Sequence, residues 1–180
     1  MEFLECVKGR RSIRKFEDKK VDHSVMEAVV AAAAYAPSWK NTQTARYLVV
    51  EDRKMMDELA ENCVMGFEHN AEIIKNAPAL VLLTSVTRRS GYERDGSFST
   101  SKKDNWEAFD AGIAAQTFCL AAYEQGLGTV IMGIFDEEKT GAAVQLPEGQ
   151  RVAAMIAVGY PAQAPEAPKR KTVEELLSFR

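Results

Sequence analysis

The chain has 180 residues, a length that buries about 70% of its unfolded surface on folding and needs no covalent staple. Hydrophobic content of 46%, charged content of 27% and a net charge of -3 are those of an ordinary globular protein and argue against a nucleic-acid partner. Cys6, Cys63 and Cys119 are odd in number, widely spaced and form no C-x-x-C, which argues against disulfides and a zinc ribbon and for a reducing, cytoplasmic compartment.

The N-terminus has no basic region followed by a small-residue cleavage site, and no apolar run reaches the ~18 residues of a membrane helix, so no membrane partner is expected. Residues 2–8 predict a short helix with Phe3, Leu4 and Val7 on its inner side. It runs into Gly9-Arg10-Arg11-Ser12-Ile13-Arg14-Lys15-Phe16, which places three guanidiniums and a hydroxyl just past a helix end. That chemistry suits a phosphate, and a solvated basic turn has the same composition. Asp22 is placed to cap a second helix, residues 23–35, with Val25, Met26, Val29 and Val30 facing inward. After Ala36-Pro37-Ser38, the loop Trp39-Lys40-Asn41-Thr42-Gln43 sets two carboxamides two positions apart. They suit a heteroaromatic edge with mixed donors and acceptors, or ordinary turn capping.

Residues 47–50 read as a strand, 53–62 and 67–76 as helices, and 79–86 as an apolar strand buried on both faces. His69 has no second ligand at metal spacing, so no metal is expected. Residues 87–103 form a polar loop with Tyr92 and Phe98, either a lid over a substrate or a frayed segment. Asp104 and Glu107 have the spacing of a capping box, and the uncharged run 111–123 has the small-and-bulky texture of a buried helix. Phe109, Ile113, Gln116 and Leu120 share a stripe of it, so the Gln116 carboxamide interrupts an apolar face and needs either a backbone partner or a polar ligand. Gly126 stops the helix. Residues 129–134 follow as a core strand, with Gly133 allowing close approach near its end. Asp136 caps a helix reaching 144, and residues 152–158 are the last core strand. A proline-rich arm then carries Lys169-Arg170-Lys171 and ends in a short helix from Thr172, an arm suited to docking on another subunit.

Hydrolytic motifs are missing: there is no Walker A sequence and no G-x-S-x-G. Gly126, Gly128 and Gly133 lie between a helix and the strand after it, the reverse of a dinucleotide fingerprint. With two histidines and no suggestive acid pair, no side chain is expected to be catalytic by itself, and a cofactor must bring the reactivity.

The segment from Arg10 to Phe16, Ala36-Pro37-Ser38 with Asn41 and Gln43, Asp110 to Gln116 leading into Leu120-Ala121-Ala122, Gly126-Leu127-Gly128-Thr129, and Gly159-Tyr160-Pro161 with the basic tail follow one another in order. Together they resemble the FMN-dependent nitroreductase family. The resemblance implies a single FMN-binding domain over residues 1–180 and an α+β fold with a central, mostly antiparallel sheet flanked by helices. It further implies an intertwined homodimer with an extended C-terminal arm and FMN at the subunit interface. NAD(P)H is the implied donor, with hydride passing through flavin N5 to a nitroaromatic, quinone or similar acceptor by a ping-pong mechanism. By the same resemblance Arg10, Arg11 and Ser12, with Arg170 or its neighbours Lys169 and Lys171, hold the phosphate. Arg14 lies against the pyrimidine edge and supports the reduced ring. Pro37, Ser38, Asn41 and Gln43 arrive from the partner subunit, Met132 and Gly133 run beside the ring near N5, and Gln116 contacts the flavin or holds the framework. A flavin-binding redox sensor with little turnover, and divergent flavin chemistry such as dehalogenation or flavin fragmentation, are the alternative readings.

Overall fold

In the computed structural model, which describes residues 1–180, four strands form one antiparallel sheet: Ala45–Val50 (β1), Ala79–Val86 (β2), Gly128–Met132 (β3) and Gln150–Gly159 (β4). Their spatial order is β1-β2-β4-β3. The two most apolar runs, β2 and β4, therefore take the middle, and β1 and β3 are opposite edges. Successive side chains of a strand point to opposite faces. Ala79, Val81 and Leu83 accordingly enter one core layer, and Leu80 and Leu82 the other.

The first layer is roofed by α2 (His23–Ala33) and α5 (Asn105–Glu124), and the second by α3 (Arg53–Asn62), α4 (Glu68–Asn76) and α6 (Glu137–Ala143). Local signals set several of these boundaries. Asp52 accepts the Met55 N–H at 2.9 Å at the start of α3, and Asp136 accepts the Lys139 N–H at 3.0 Å at the start of α6. Helix α5 stops at Gly126, whose φ of +79 lets the Leu127 N–H turn back to the Ala122 carbonyl. The chain ends in an exposed arm whose short helix α7 (Val173–Leu176) opens with a capping box between Thr172 and Glu175.

Other expectations are corrected. In α1 (Phe3–Gly9) the supposed inner residues Phe3, Leu4 and Val7 are 71%, 61% and 41% exposed. Cys6 is the buried one, its thiol 3.4 Å from the Leu120 carbonyl of α5. Asp22 makes no side-chain cap, and α2 ends at Ala33 rather than 35. Asp104 does not cap α5 either, because its own backbone is already helical, and the Glu107 carboxylate turns inward to the Arg88 N–H instead. The stripe containing Gln116 is not the buried one. Ala111, Ala114, Ala115, Phe118, Cys119 and Ala122 face the sheet, whereas Phe109 is 53% exposed and Gly112 and Gln116 are also uncovered. A helix that is apolar on every side has a period but no preferred inward face. Strand β3 ends at Met132, so Gly133 and Ile134 leave the ladder.

Candidate functional site

Residues 10–16 run along the start of edge strand β3. The Ile13 N–H donates to the Thr129 carbonyl at 2.9 Å, and Ser12 bridges Thr129 in parallel. Ile13 is buried over Gly128, where an added Cβ would lie 2.6 Å from its side chain, so only glycine admits the basic segment this closely. Phe16 pairs with Pro161 and the Ala162 N–H donates to the Lys15 carbonyl, which brings the root of the C-terminal arm to the same turn. Gln163 and Pro165 then share a cleft of about 430 Å³ with Arg11. None of Arg10, Arg11 and Arg14 meets a carboxylate. Arg11 donates to the Lys8 and Arg10 carbonyls, and Arg14 reaches the Ser12 carbonyl at 3.4 Å. Three guanidiniums within five residues and without a carboxylate partner leave this turn unneutralised, a chemistry that suits an anion.

The far end of β3 is different in kind. Gly133 lies four residues beyond Thr129, about 13 Å along an extended chain. It is exposed, and an added Cβ would meet nothing within 4 Å. Met132 beside it is 4% exposed with its side chain in the layer under α3, α4 and α6, so only its backbone is offered to this side. Gly133 lines a cleft of about 450 Å³ with Ile131, Ala108, Gly112 and Ala153. Glu107 and Arg151 line it too. The Glu107 carboxylate, 4% exposed, accepts the Arg88 N–H at 2.6 Å and lies 3.7 Å from the Arg151 guanidinium. Burial nonetheless pushes its pKa up, against the pull of those two neighbours.

An elongated planar group with an anionic tail fits this edge. Unneutralised guanidiniums would meet the tail, and a bare glycine backbone over small side chains would leave room for a ring. The residues present are therefore chemically compatible with FMN.

The other predicted residues lie elsewhere. Pro37, Ser38 and Gln43 line a second cleft of about 380 Å³ between α2, α5 and the β1 edge. Lys40, Asn41 and Gln43 have φ of 44°, 55° and 48°. A left-handed backbone costs a non-glycine residue about 1 kcal/mol or more, so this loop must be held. Ser38 Oγ accepts the Gln43 N–H at 2.9 Å, Lys40 pairs with Glu93 at 2.9 Å, and Trp39 packs on Trp106 with ring centres 4.6 Å apart. The Trp39 N–H donates to Asp110 Oδ2 at 2.9 Å. Residues 37–43 and 10–14 thus belong to opposite edges of the sheet, about 14 Å apart across three strand spacings. One chain does not bring them together. Gln116 lies on the uncovered side of α5, and Lys169, Arg170 and Lys171 are exposed along the arm.

Sequence reasoning missed Asp110, Ser90 and Glu107 as parts of this framework. Asp110 shared a helical stripe with Ala114 and Phe118, both buried against the sheet, and a carboxylate on that stripe was the available signal.

The nitroreductase family model matches residues 7–72 and 66–160. An NADH dehydrogenase of Thermus thermophilus is 27% identical, with 95% of this chain and 92% of that protein covered. An iodotyrosine deiodinase of Thermotoga neapolitana is 25% identical, with 97% of each covered. A Desulfovibrio desulfuricans protein solved in complex with FMN superposes with a TM-score of 0.79 at 28% identity, over 98% of this chain and 95% of that one. Because the family model takes in the basic turn, the sheet and both helical layers, the chain belongs to the nitroreductase family.

Proposed function

We propose that this protein is an NAD(P)H-dependent FMN oxidoreductase that reduces a nitroaromatic, quinone or similarly electron-poor acceptor in ping-pong fashion, as a homodimer of the one domain formed by residues 1–180. The observation that carries the reading is the edge of β3, with unpaired guanidiniums at one end and an open glycine at the other. When bound, FMN would supply the redox chemistry, hydride transfer between the nicotinamide and the acceptor. Arg10, Arg11 and Ser12 would hold its phosphate, with Arg170 or its neighbours Lys169 and Lys171. Arg14 sets a fixed positive charge at the pyrimidine edge, which favours the electron-rich ring. Gly133 and the backbone of Met132 leave the reactive face open, so donor and acceptor use one slot in turn and approach to about 3–3.5 Å without a side-chain acid or base.

A second copy completes the site. Pro37, Ser38, Asn41 and Gln43 sit at the wrong edge of their own sheet and reach a cofactor on β3 only across a dimer. The uncovered apolar residues Phe3, Leu4, Val7 and Phe109 give that dimer a surface, with Gln116 in its midst. The test is an anaerobic visible spectrum of the purified protein, with the cofactor released and identified, followed by stepwise addition of NADH and of NADPH. Bleaching within turnover time by at least one nicotinamide is expected. Slow bleaching by both would indicate a sensor, and a colourless protein that takes up no FMN would end the proposal. Likeness to a deiodinase makes reductive dehalogenation the second reading, and halide release from an iodinated phenol under the same conditions separates the two.

A further inference from the structure

The loop of residues 38–43 is strained and half-exposed, and yet held in one shape. Its surface ties are weak: Lys40 and Glu93 are 56% and 46% exposed, and an ion pair in water is worth little. The buried tie is different. Asp110 is 4% exposed and pairs with no cation, and its Oδ2 accepts both the Trp39 N–H at 2.9 Å and the Ser90 hydroxyl at 2.6 Å. Ser90, itself fully buried, lies 2.9 Å from the Thr42 hydroxyl. One carboxylate oxygen on α5 thus gathers the 38–43 loop directly, through Trp39, and a second time through Ser90 and Thr42. A buried carboxylate without a cation is costly unless fixed donors satisfy it, so its place here requires the two segments to stay where they are.

We propose that Asp110 is the positioning residue of this site: through Trp39 and Ser90 its carboxylate fixes the left-handed loop that presents Asn41 and Gln43 to the cofactor. This rests on the reading above that the loop touches FMN across the dimer. Without the tie, Lys40, Asn41 and Gln43 relax toward ordinary backbone angles, and the two carboxamides turn away from the ring. Asp110 touches no cofactor atom itself. Its effect is read through the geometry of the loop.

The experiment removes FMN, titrates it back by quenching of flavin fluorescence, and records the visible circular dichroism of the bound flavin. Asp110→Ala is expected to raise the FMN dissociation constant about tenfold, the loss of roughly one charge-assisted hydrogen bond, and to change the dichroism. Asp110→Asn keeps an oxygen that receives both donors and is expected to restore affinity to within about threefold of the parent. Ser90→Ala cuts the Thr42 branch alone and is expected to act in the same direction, which serves should Asp110→Ala not fold. A merely structural Asp110 would lower the melting temperature and leave the affinity and dichroism of the flavin untouched, and that result overturns the proposal. The double variant Asn41→Ala with Gln43→Ala separates the two levels. If it weakens FMN while Asp110→Ala and Ser90→Ala do not, the positioning role alone falls; if it binds FMN like the parent, the loop does not touch the cofactor and both readings fall.

Discussion

The helices on one face of the sheet and those on the other meet solvent differently. Under α3, α4 and α6, Met56, Leu59, Ala60, Ile73 and Ile74 are at most 3% exposed, and charged residues occupy the outer sides. On the other face, α5 sends Phe118 and a row of alanines into the sheet and leaves Phe109, Gly112 and Gln116 bare, beside α1 with Phe3 and Leu4 in the open. Both layers are apolar, yet apart from Met65 and Phe67 at the turn between α3 and α4 only one is closed by its own chain. Apolar content in the layer of α2 and α5 exceeds what one sheet can cover, and the excess faces outward, where the proposed second copy would cover it.

That contrast makes opposite demands on substitutions. Leu59→Ala in the closed layer empties a fully buried position and should cost about 2–5 kcal/mol, whatever the protein concentration. Urea unfolding at two concentrations checks it. A loss that shrinks as concentration rises would mean that this layer, too, depends on association. Gly112→Arg in the open layer is the sharper test. No atom beyond its own turns of α5 lies within 4 Å of a Cβ at that position, so a single chain accommodates the side chain and gains up to about 1 kcal/mol of helix propensity. If a second copy covers the face, the same arginine should weaken self-association by more than about tenfold. Sedimentation velocity of the FMN-free protein decides, since Gly112 also lines the cleft beside Gly133, and an unchanged dimer would erase the distinction between the layers. Smaller again is Arg14→Ala, expected to lower FMN affinity about tenfold, the worth of one charge-assisted contact. Arg89→Ala in the polar loop should leave that affinity unchanged, and equal losses in both would dissolve the assignment of the basic turn.

What could be read in the sequence was whatever a few neighbouring residues decide. The continuous apolar run of β2, the cap at Asp136 and the stop at Gly126 are each set by residues within a few positions of one another, and all are present. Gln116 was misjudged because a helical period specifies a stripe without saying which stripe its own sheet covers. Glu107 had the spacing of a capping box, but Asp104 was already helical and the Arg88 N–H stood nearer as a donor. The holding of the 38–43 loop was illegible for another reason. It depends on Trp39 meeting Asp110 across 71 positions and Ser90 meeting Asp110 across 20, and no glycine marks the left-handed turns at Lys40 and Gln43.

Glu107 stands where the two regimes join, on α5 and 4% exposed, and supplies the smallest test. Burial raises its pKa, while the Arg88 N–H and the Arg151 guanidinium pull the other way and lose. The folded protein therefore holds this proton more tightly than the unfolded chain, where a glutamate titrates at about 4.3. The stability so contributed is fully present below the unfolded pKa and is lost as pH rises through the folded one. Glu107→Gln keeps an oxygen for the Arg88 N–H and has no proton to lose. Its stability relative to the parent should accordingly increase as pH rises from about 4 through the raised pKa of the folded carboxyl and then level off, as read from urea midpoints at matched ionic strength. A difference that falls as pH rises would mean that Arg151 and the Arg88 amide outweigh burial. Glu107 would then be a tie anchoring α5 to β4, like the carboxylate of Asp110 beneath the loop, instead of a strained charge on the way to the open face.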